Sequence, residues 1–508
     1  MKKLYIILLL AGITFSGMSC HKFLDQQPNS QATDQTTWQT ESDANAAVAA
    51  CYSLIRSAFN TAITYYAYGD LPSDEFTQVV GGDGSFTDVQ DMNWGIGIPP
   101  ANTYDPRLKL RLYTNFYTAI AQSNRCLYFI NNMPNSVFTN NGDDAASEQA
   151  EKNRYLGEAY FTRAFCYFYI ARVWGDVPLV TTYQADNSTA PQLPRTAQKT
   201  ILAQAISDLG LARQYLNWQD PSSTDRVVRA DKGAVFALLA HLYAWQGDYA
   251  NCNSACDSVI NSGSYTMVPA SEYLSIYKGQ SSEGIFEIAQ NSGSEGIIAT
   301  GLWTITNVTL VEPYLTTTAT QPGWEISTSL FGYLFSDTTD LRYKNAFVNV
   351  SSGGSTAIEC IKYSTIQNVN NNTTYQEALS NIIVFRLADI LLLKAEALTA
   401  GPAQDYGTAM SLVNQVRSRA GLTTMVSGLS GNDLLNAITD ERGRELFLEG
   451  HRFYDLIRNE RVTGVQQLPY VTTDEFTAGM YYWPVDPTLF LTNSNLTQTP
   501  FWQGKVSD

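Results

Sequence analysis

The chain has 508 residues, a hydrophobic fraction of 44% and a formal net charge of −16. This length suits two or three ordinary domains or one large one. The acidic balance argues against nucleic acid as a partner, because phosphate contacts need Lys and Arg. Histidine occurs only at positions 21, 241 and 451, and this wide separation along the chain argues against a His-based metal site. We expect no metal and no cofactor.

The first residues have the pattern of an export signal. Lys2 and Lys3 precede an apolar run over residues 4–15. That run is too short to span a bilayer, for which about 20 residues are needed. We therefore predict a signal peptide over residues 1–19.

The cysteine that follows this signal is a candidate lipid-attachment site. Residues 17–20 resemble a bacterial lipobox, with Gly17 at the position where Leu is usual. The expected mature protein begins at Cys20, which would carry acyl chains such as palmitate, and continues into a polar tether over residues 20–42. The alternative is an ordinary signal peptide that is cut near Ser19 and leaves a free cysteine.

Helical periodicity dominates the rest of the chain and predicts a mainly α fold. An N-terminal helical region covers residues 43–261, and a C-terminal one covers 381–508. Between them, residues 262–380 are rich in Gly, Ser, Thr and Asn and predict loops and short strands in a ligand-binding insertion. The predicted helices lie at about 43–59, 107–131, 148–173, 200–216, 230–246, 249–261, 386–399, 406–420 and 432–459.

Two segments resemble tetratricopeptide hairpins. Residues 237–260 place two helices around Gly247, and residues 386–421 place two more around the turn at Gly401. Because about 150 residues separate the two segments, a regular solenoid is excluded. We expect helical pairs packed into one body and interrupted by the insertion. The cysteines after Cys20 are interpreted as mostly buried small hydrophobic residues.

Five fragments in order resemble the SusD/RagB family of outer-membrane nutrient-binding lipoproteins of Bacteroidota. The first is the N-terminus, with Cys20 followed by FLD and Pro28, and the last is the tail WPVD to NLTQTP, with Thr499 where Asn is usual. Between them lie a long helix with a Gly-Asp-x-Pro turn, a later helical pair and the most specific signature. These are RYLGEAYFTRAFCYFYIARVWGDVPLV (154–180), FRLADILLLKAEAL (385–398) with VNQVRSRAGL (413–422), and ITDERGRELFLEGHRFYDLIR (438–458).

This resemblance, which covers nearly the whole chain, implies both a fold and a role. The fold would be a helical scaffold with four tetratricopeptide-like hairpins and an irregular ligand-binding part. The protein would be anchored by lipid at the surface of the outer membrane, where it would bind oligosaccharides and deliver them to a SusC-type TonB-dependent transporter. Some members bind peptides, which leaves a peptide cargo open. The resemblance implies a protein that is not an enzyme.

The signature segment carries the carboxylates that a glycoside hydrolase would need. Glu441, Glu445 and Glu449 have the spacing of one helix face. A glycosidase needs two carboxylates on opposite sides of the scissile bond, whereas acids stacked along one helix are more typical of ion pairs. We therefore interpret them as structural, although a secreted glycosidase remains the alternative. The bases of this segment are Arg442, Arg444 and Arg452.

Aromatic side chains outside the helices are the candidate ligand platforms. A Trp ring can cover the apolar face of a sugar, while amides and carboxylates bond its hydroxyls, and a preformed surface loses little entropy on binding. For each Trp the alternative is burial in the core. The candidate ligand-binding residues are Trp94, Trp303, Trp324, Asp83, Asn93 and Asn102.

Overall fold

The computed structural model describes residues 37–79, 86–142, 144–185, 190–219, 223–290, 293, 295–352 and 355–506. Within these ranges the fold is mainly α, as predicted. No helix of the described part is long and apolar enough to cross a bilayer. The predicted signal peptide and Cys20 lie outside the described residues.

The N-terminal part is a row of helices in which neighbours pack side by side. Helix α1 packs on α5, α5 on α6, α6 on α7, and α8 on α9. The N-terminus of α1 is fixed by a capping box between Thr40 and Asp43. The helices are α1 (Glu41–Asn60), α2 (Thr64–Gly69), α3 (Thr87–Gln90), α4 (Arg107–Leu110), α5 (Thr114–Asn132), α6 (Ala145–Trp174), α7 (Gln198–Tyr215), α8 (Lys232–Gln246) and α9 (Tyr249–Asn261).

The insertion contains short strands, as predicted, and also short helices that the sequence did not indicate. Its sheets have only two or three strands each, all antiparallel, and β1 from the N-terminal part pairs with β4. The helices are α10 (Ser275–Lys278), α11 (Ile305–Thr309), α12 (Thr328–Leu334) and α13 (Leu341–Ala346). The strands are β1 (Phe76–Val79), β2 (Gly284–Ile288), β3 (Ile297–Ile298), β4 (Trp324–Ile326), β5 (Phe347–Ser352), β6 (Ser355–Cys360), β7 (Ile366–Val369), β8 (Asn372–Ala378) and β9 (Ile382–Arg386).

The C-terminal part returns to helices and closes the scaffold. Helix α14 packs on α15 and α16, and also on α9. The two predicted hairpins, α8–α9 and α14–α15, are therefore neighbours in space although the insertion separates them in sequence. The helices are α14 (Leu387–Ala400), α15 (Tyr406–Arg419), α16 (Gly431–Glu445), α17 (Arg452–Thr463), α18 (Thr473–Thr477) and α19 (Thr488–Thr492).

The turn of the first hairpin shows why its sequence folds in this way. Gly247 ends α8 with a φ of 76°, a left-handed conformation that favours glycine. The next residue, Asp248, caps α9 by accepting a hydrogen bond from the backbone N–H of Asn251 at 3.2 Å. Two adjacent residues thus end one helix and begin the next, so the two helices lie side by side.

Two helix predictions were wrong in the same way. The segment predicted over 107–131 breaks between α4 and α5, and the segment predicted over 432–459 breaks between α16 and α17. At the second break Leu448 and Gly450 have φ values of 56° and 78°, which no helix accommodates. Glu449 therefore lies in a turn rather than on the helix face of Glu441 and Glu445.

The cysteine interpretation is confirmed for the described residues. Cys51, Cys126, Cys166, Cys252, Cys256 and Cys360 are all buried and free. They lie in the core together with an aromatic cluster in which Trp94 and Trp483 stack at 4.2 Å between ring centroids. Tyr68 adds an edge-to-face contact to Trp483 at 5.1 Å. This cluster fixes the C-terminal tail against the N-terminal part of the chain.

We predict that Trp94→Ala lowers the free energy of unfolding by about 3–5 kcal/mol, because it leaves a cavity against Trp483. Chemical denaturation followed by circular dichroism measures this loss. Tyr104→Ala is the matched control, since Tyr104 is 64% exposed and its removal is expected to cost less than about 0.5 kcal/mol. Equal losses in the two variants would contradict a core role for Trp94.

Candidate functional site

The carboxylates of the signature segment lie in a buried ion-pair network. The guanidinium of Arg386 donates from Nη1 to Glu283 Oε1 and to Glu445 Oε1, both at 2.6 Å, and from Nε to Glu449 Oε2 at 2.8 Å. Arg342 pairs with Glu441 at 2.7 Å and with Glu445 at 2.9 Å. The ion-pair interpretation of these acids is confirmed.

The protonation of Glu445 follows from its partners. Burial would raise the pKa of this carboxyl, but Arg419, Arg386 and Arg342 together lower the pKa well below its ordinary value. Glu441 is likewise wholly buried and bonded to arginines. A general acid needs a raised pKa and access to the substrate, and neither side chain has them. The arrangement stabilises the fold and is not that of a hydrolytic pair.

Two histidines that are far apart in sequence meet in the core. His241 Nε2 lies 2.7 Å from Asp389 Oδ2, and the rings of His241 and His451 are 5.4 Å apart. Possible ligand atoms of the three residues lie within 4.8 Å of one another. However, Arg442 Nη2 lies 2.9 Å from the other oxygen of Asp389. Since Arg442 already neutralises Asp389, the cluster fits a buried ion pair better than a cation site.

The loop between α3 and α4 is held rigidly by two arginines. Arg107 donates from Nη1 to the carbonyl oxygen of Asn93 at 3.0 Å. Arg111 donates from Nε to the carbonyl oxygen of Trp94 at 2.8 Å and from Nη2 to the carbonyl oxygen of Ile96 at 2.7 Å. A buried ion pair between Arg107 and Asp105 at 2.7 Å fixes the first arginine. The loop backbone is thus set before any ligand binds.

Trp94 is the side-chain anchor of this loop. It is wholly buried, stacks on Trp483, and donates from Nε1 to the carbonyl oxygen of Val89 at 2.8 Å. A ring without exposed surface cannot stack on a ligand, so the structure corrects the expectation that Trp94 is a platform. The neighbouring Gly95 lies so close to Trp502 that a Cβ atom would sit 2.7 Å from its ring.

The other two tryptophans both contact Phe86. Trp324 in β4 is buried and meets Phe86 edge to face at 5.4 Å, so the expectation of a platform is corrected for Trp324 as well. Trp303 is half-buried and meets Phe86 edge to face at 6.1 Å. Phe86 therefore connects Trp303 to the core. Of the three predicted platforms, Trp303 alone is not fully buried.

The backbone of Trp303 is also unusual. Its φ is 57°, in the left-handed region that a bulky residue rarely adopts. The turn is closed by Thr304 Oγ1, which donates to the carbonyl oxygens of Ala299 and Gly301, both at 3.0 Å. Strained backbone that the surrounding structure fixes is common at binding sites. Next to Trp303, Leu302 is 54% exposed.

The predicted polar partners have different outcomes. Asn93 and Asn102 are half-buried on the anchored loop, and their side-chain amides make no hydrogen bond among the described residues. Tyr104 on the same loop is exposed. Asp83 lies outside the described residues. We name Trp303 and Leu302 the Trp303 surface, and residues 93–104 the anchored loop.

Sequence reasoning missed the residues that support this surface. The sequence around Phe86 gave no indication of a role, because Phe86 precedes the four-residue helix α3, which is too short to show periodicity. Arg107 and Arg111, four residues apart and just after Asp105, were a usable signal for a clamped loop, since Asp and Arg at close spacing form charge-assisted pairs.

Comparison with known proteins agrees with this architecture. A family model described as "SusD family" matches residues 342–502. A second, described as "Starch-binding associating with outer membrane", matches residues 22–244. The second description names a class of starch-binding proteins that associate with the outer membrane. Since the two models match successive parts of the chain, the chain belongs to the SusD family.

The individual relatives have low sequence identity to this chain, and two of those described next align over nearly its whole length. SusD-like protein P38 of Formosa agariphila is 27% identical over 504 residues, covering 91% of this chain and 92% of that protein. A SusD homolog from Bacteroides thetaiotaomicron has a solved structure with a TM-score of 0.77 and 28% identity, covering 92% of this chain and 99% of that one. The starch-binding protein SusD of the same species is 35% identical over 88 residues, which is 17% of this chain and 14% of that protein.

We predict that Glu445→Gln destabilises the fold by about 3–5 kcal/mol, because it removes a counter-charge that the buried Arg342 and Arg386 share with Arg419. The folded pKa of Glu445 lies below its unfolded value of 4.5. The stability that its charge contributes is therefore fully present above pH 4.5 and is lost as the pH falls toward the folded pKa. The difference between wild type and variant should accordingly be largest near pH 7 and shrink in acid.

Urea denaturation at several pH values measures this difference. Asp433→Asn is the matched control, because Asp433 is exposed in the first turn of the same helix and contributes only about 0.3–1 kcal/mol through the helix dipole. A Glu445→Gln variant as stable as the control at pH 7 would refute the structural role.

Proposed function

We propose that this protein captures oligosaccharides at the Trp303 surface and delivers them to a SusC-type TonB-dependent transporter. The observation that carries the proposal is the ring of Trp303, held at the surface by Phe86 and by its own closed turn. Capture requires binding without chemistry, which agrees with carboxylates that are buried in ion pairs. The description of the second family model, starch binding in association with the outer membrane, supports a glycan as the ligand.

The amides of the anchored loop suit sugar hydroxyls. Asn93 and Asn102 offer an amide N–H and a carbonyl oxygen each, on a loop whose backbone is fixed by Arg107 and Arg111. Small-molecule sites combine apolar rings with a few polar groups, and the proposal assigns the ring to Trp303 and the polar groups to the anchored loop. Because both parts are fixed beforehand, binding loses little conformational entropy.

Delivery requires the protein to stay at the membrane beside its transporter. We propose that acyl chains on Cys20 supply the anchor and that residues 20–42 form the tether. Two or more acyl chains hold a protein stably, whereas one binds only marginally. The helical scaffold would supply the transporter interface, as the family resemblance implies.

We predict that Trp303→Ala weakens oligosaccharide binding at least about tenfold, or about 1.4 kcal/mol, because a stacking face is lost. Calorimetric titration of the chain without its leader, against starch oligosaccharides and other plant, microbial and host glycans, measures the affinity. Chromatography of the same samples should show no hydrolysis.

Tyr128→Ala is the control for this titration. Tyr128 is an exposed aromatic residue on α5 in the scaffold, 52% accessible, and its removal should leave the affinity unchanged. Two results would contradict the proposal: a wild-type protein that binds no glycan of the panel, or a Trp303→Ala protein that binds as tightly as wild type.

We predict that Cys20→Ala releases the full-length protein from membranes, since each buried CH₂ of an acyl chain contributes about 0.8 kcal/mol to anchoring. Fractionation followed by a high-salt wash measures the bound fraction. Cys360→Ala, which changes a buried cysteine far from the leader, should remain bound. A Cys20→Ala protein that stays with the membranes would rule out the lipid anchor.

A further inference from the structure

A second concave surface lies on the N-terminal helices and shares no residue with the Trp303 surface. It is a cavity of about 500 Å³, within the range of about 300–1,000 Å³ that is typical of small-molecule sites. Its walls come from the start of α1, the first half of α6, and the segments that join α7 to α8. The residues that the argument uses are Arg154, Glu158, Trp218, Gln219 and Arg229.

The charges on its walls largely neutralise one another. Arg154 pairs with Glu158 at 2.8 Å and also with Glu151, and Arg229 donates from Nε to Glu158 at 2.7 Å. Asp231 is occupied as the cap of α8, where it accepts from the backbone N–H of Ala234 at 2.7 Å. A charged ligand would have to compete with these pairs, whereas a neutral polar ligand would leave them in place.

Two hydrogen-bond donors in the walls lack acceptors. Arg229 Nη2 and Gln219 Nε2 are buried atoms with no hydrogen-bond partner among the described residues. A buried donor without an acceptor costs about 1–3 kcal/mol. Both residues line the cavity, so a rotation of either side chain toward it would bring the donor within reach of a sugar hydroxyl, which would remove that cost.

An aromatic ring completes the lining. Trp218 is half-buried and stacks on Phe236 at 5.7 Å with an angle of 18° between the rings. Phe236 thus fixes one face of Trp218, while the indole also lines the cavity. A fixed aromatic ring next to amide and guanidinium donors is the combination that binds the apolar face and the polar edge of a sugar ring.

We propose that this cavity binds a neutral sugar segment of one or two units, as a second ligand site on the scaffold. The inference shares the class of ligand with the proposed function but does not depend on Trp303. A second site would raise the effective affinity for a single glycan that is long enough to contact both sites at once.

The test uses ¹⁹F NMR of the chain without its leader, labelled with 5-fluorotryptophan. Trp218→Phe and Trp303→Phe assign the resonances of the two residues. The probes are glucose, galactose, mannose, xylose, N-acetylglucosamine, maltose and cellobiose, with glucuronate as the charged comparison. We expect a saturable shift of the Trp218 resonance with at least one neutral sugar.

Two variants test the contacts. Gln219→Ala should raise the apparent Kd at the Trp218 resonance at least threefold, because it removes one of the unpaired donors. Gln214→Ala, an exposed glutamine of α7 outside the cavity, should leave the Kd unchanged. An unaltered spectrum of the remaining tryptophans verifies that both variants are folded.

The outcomes separate the two proposals. A Trp218 resonance that no neutral sugar shifts, or that glucuronate alone shifts, would overturn the inference whatever Trp303 does. An equal Kd for Gln219→Ala and Gln214→Ala would also overturn it. A shift at Trp218 without one at Trp303 would uphold the cavity and count against the Trp303 surface.

Discussion

The pairing of Arg386 with Glu283, Glu445 and Glu449 is the interaction on which the remaining architecture depends. Arg386 is the last residue of β9 and the N-cap of α14, Glu283 directly precedes β2, and Glu445 ends α16. One buried guanidinium therefore joins the insertion to the C-terminal scaffold. Since separating a buried pair leaves an uncompensated charge at a cost of about 3–5 kcal/mol, the insertion and the scaffold behave as one body.

Long-range contacts also fix the anchored loop and the Trp303 surface, the two parts of the proposed ligand site. The loop 93–104 gains its rigidity from Arg107, Arg111 and the stacking of Trp94 on Trp483. Trp303 gains it from Phe86. Each binding element is therefore fixed by a contact with another part of the chain, and a rigid surface keeps the entropic cost of binding small.

The same long-range contacts explain how far the sequence could predict the structure. Helices with clear periodicity were predicted to within about three residues, because their signal is local. The breaks at residues 111–113 and 446–451 depend on backbone turns that periodicity does not report. Gly95 beside Trp94 suggested an exposed loop. Trp94 is nevertheless buried, because Trp483 and Trp502, near the other end of the chain, pack against this loop. Trp303 remains a candidate because its closed turn and its contact with Phe86 leave it half-buried rather than in the core.

The charge balance links the buried network to the class of ligand. The chain has 32 basic and 48 acidic residues. Several of the arginines, among them Arg342, Arg386 and Arg442, form buried ion pairs. A buried pair removes one charge of each sign from the surface and leaves the net charge of −16 unchanged. The ratio of acidic to basic groups is therefore higher on the surface than in the whole chain. Such a surface repels polyanions over the Debye length of about 8 Å at physiological salt. A neutral glycan meets no such barrier, which agrees with the rings and amides of the two proposed ligand sites.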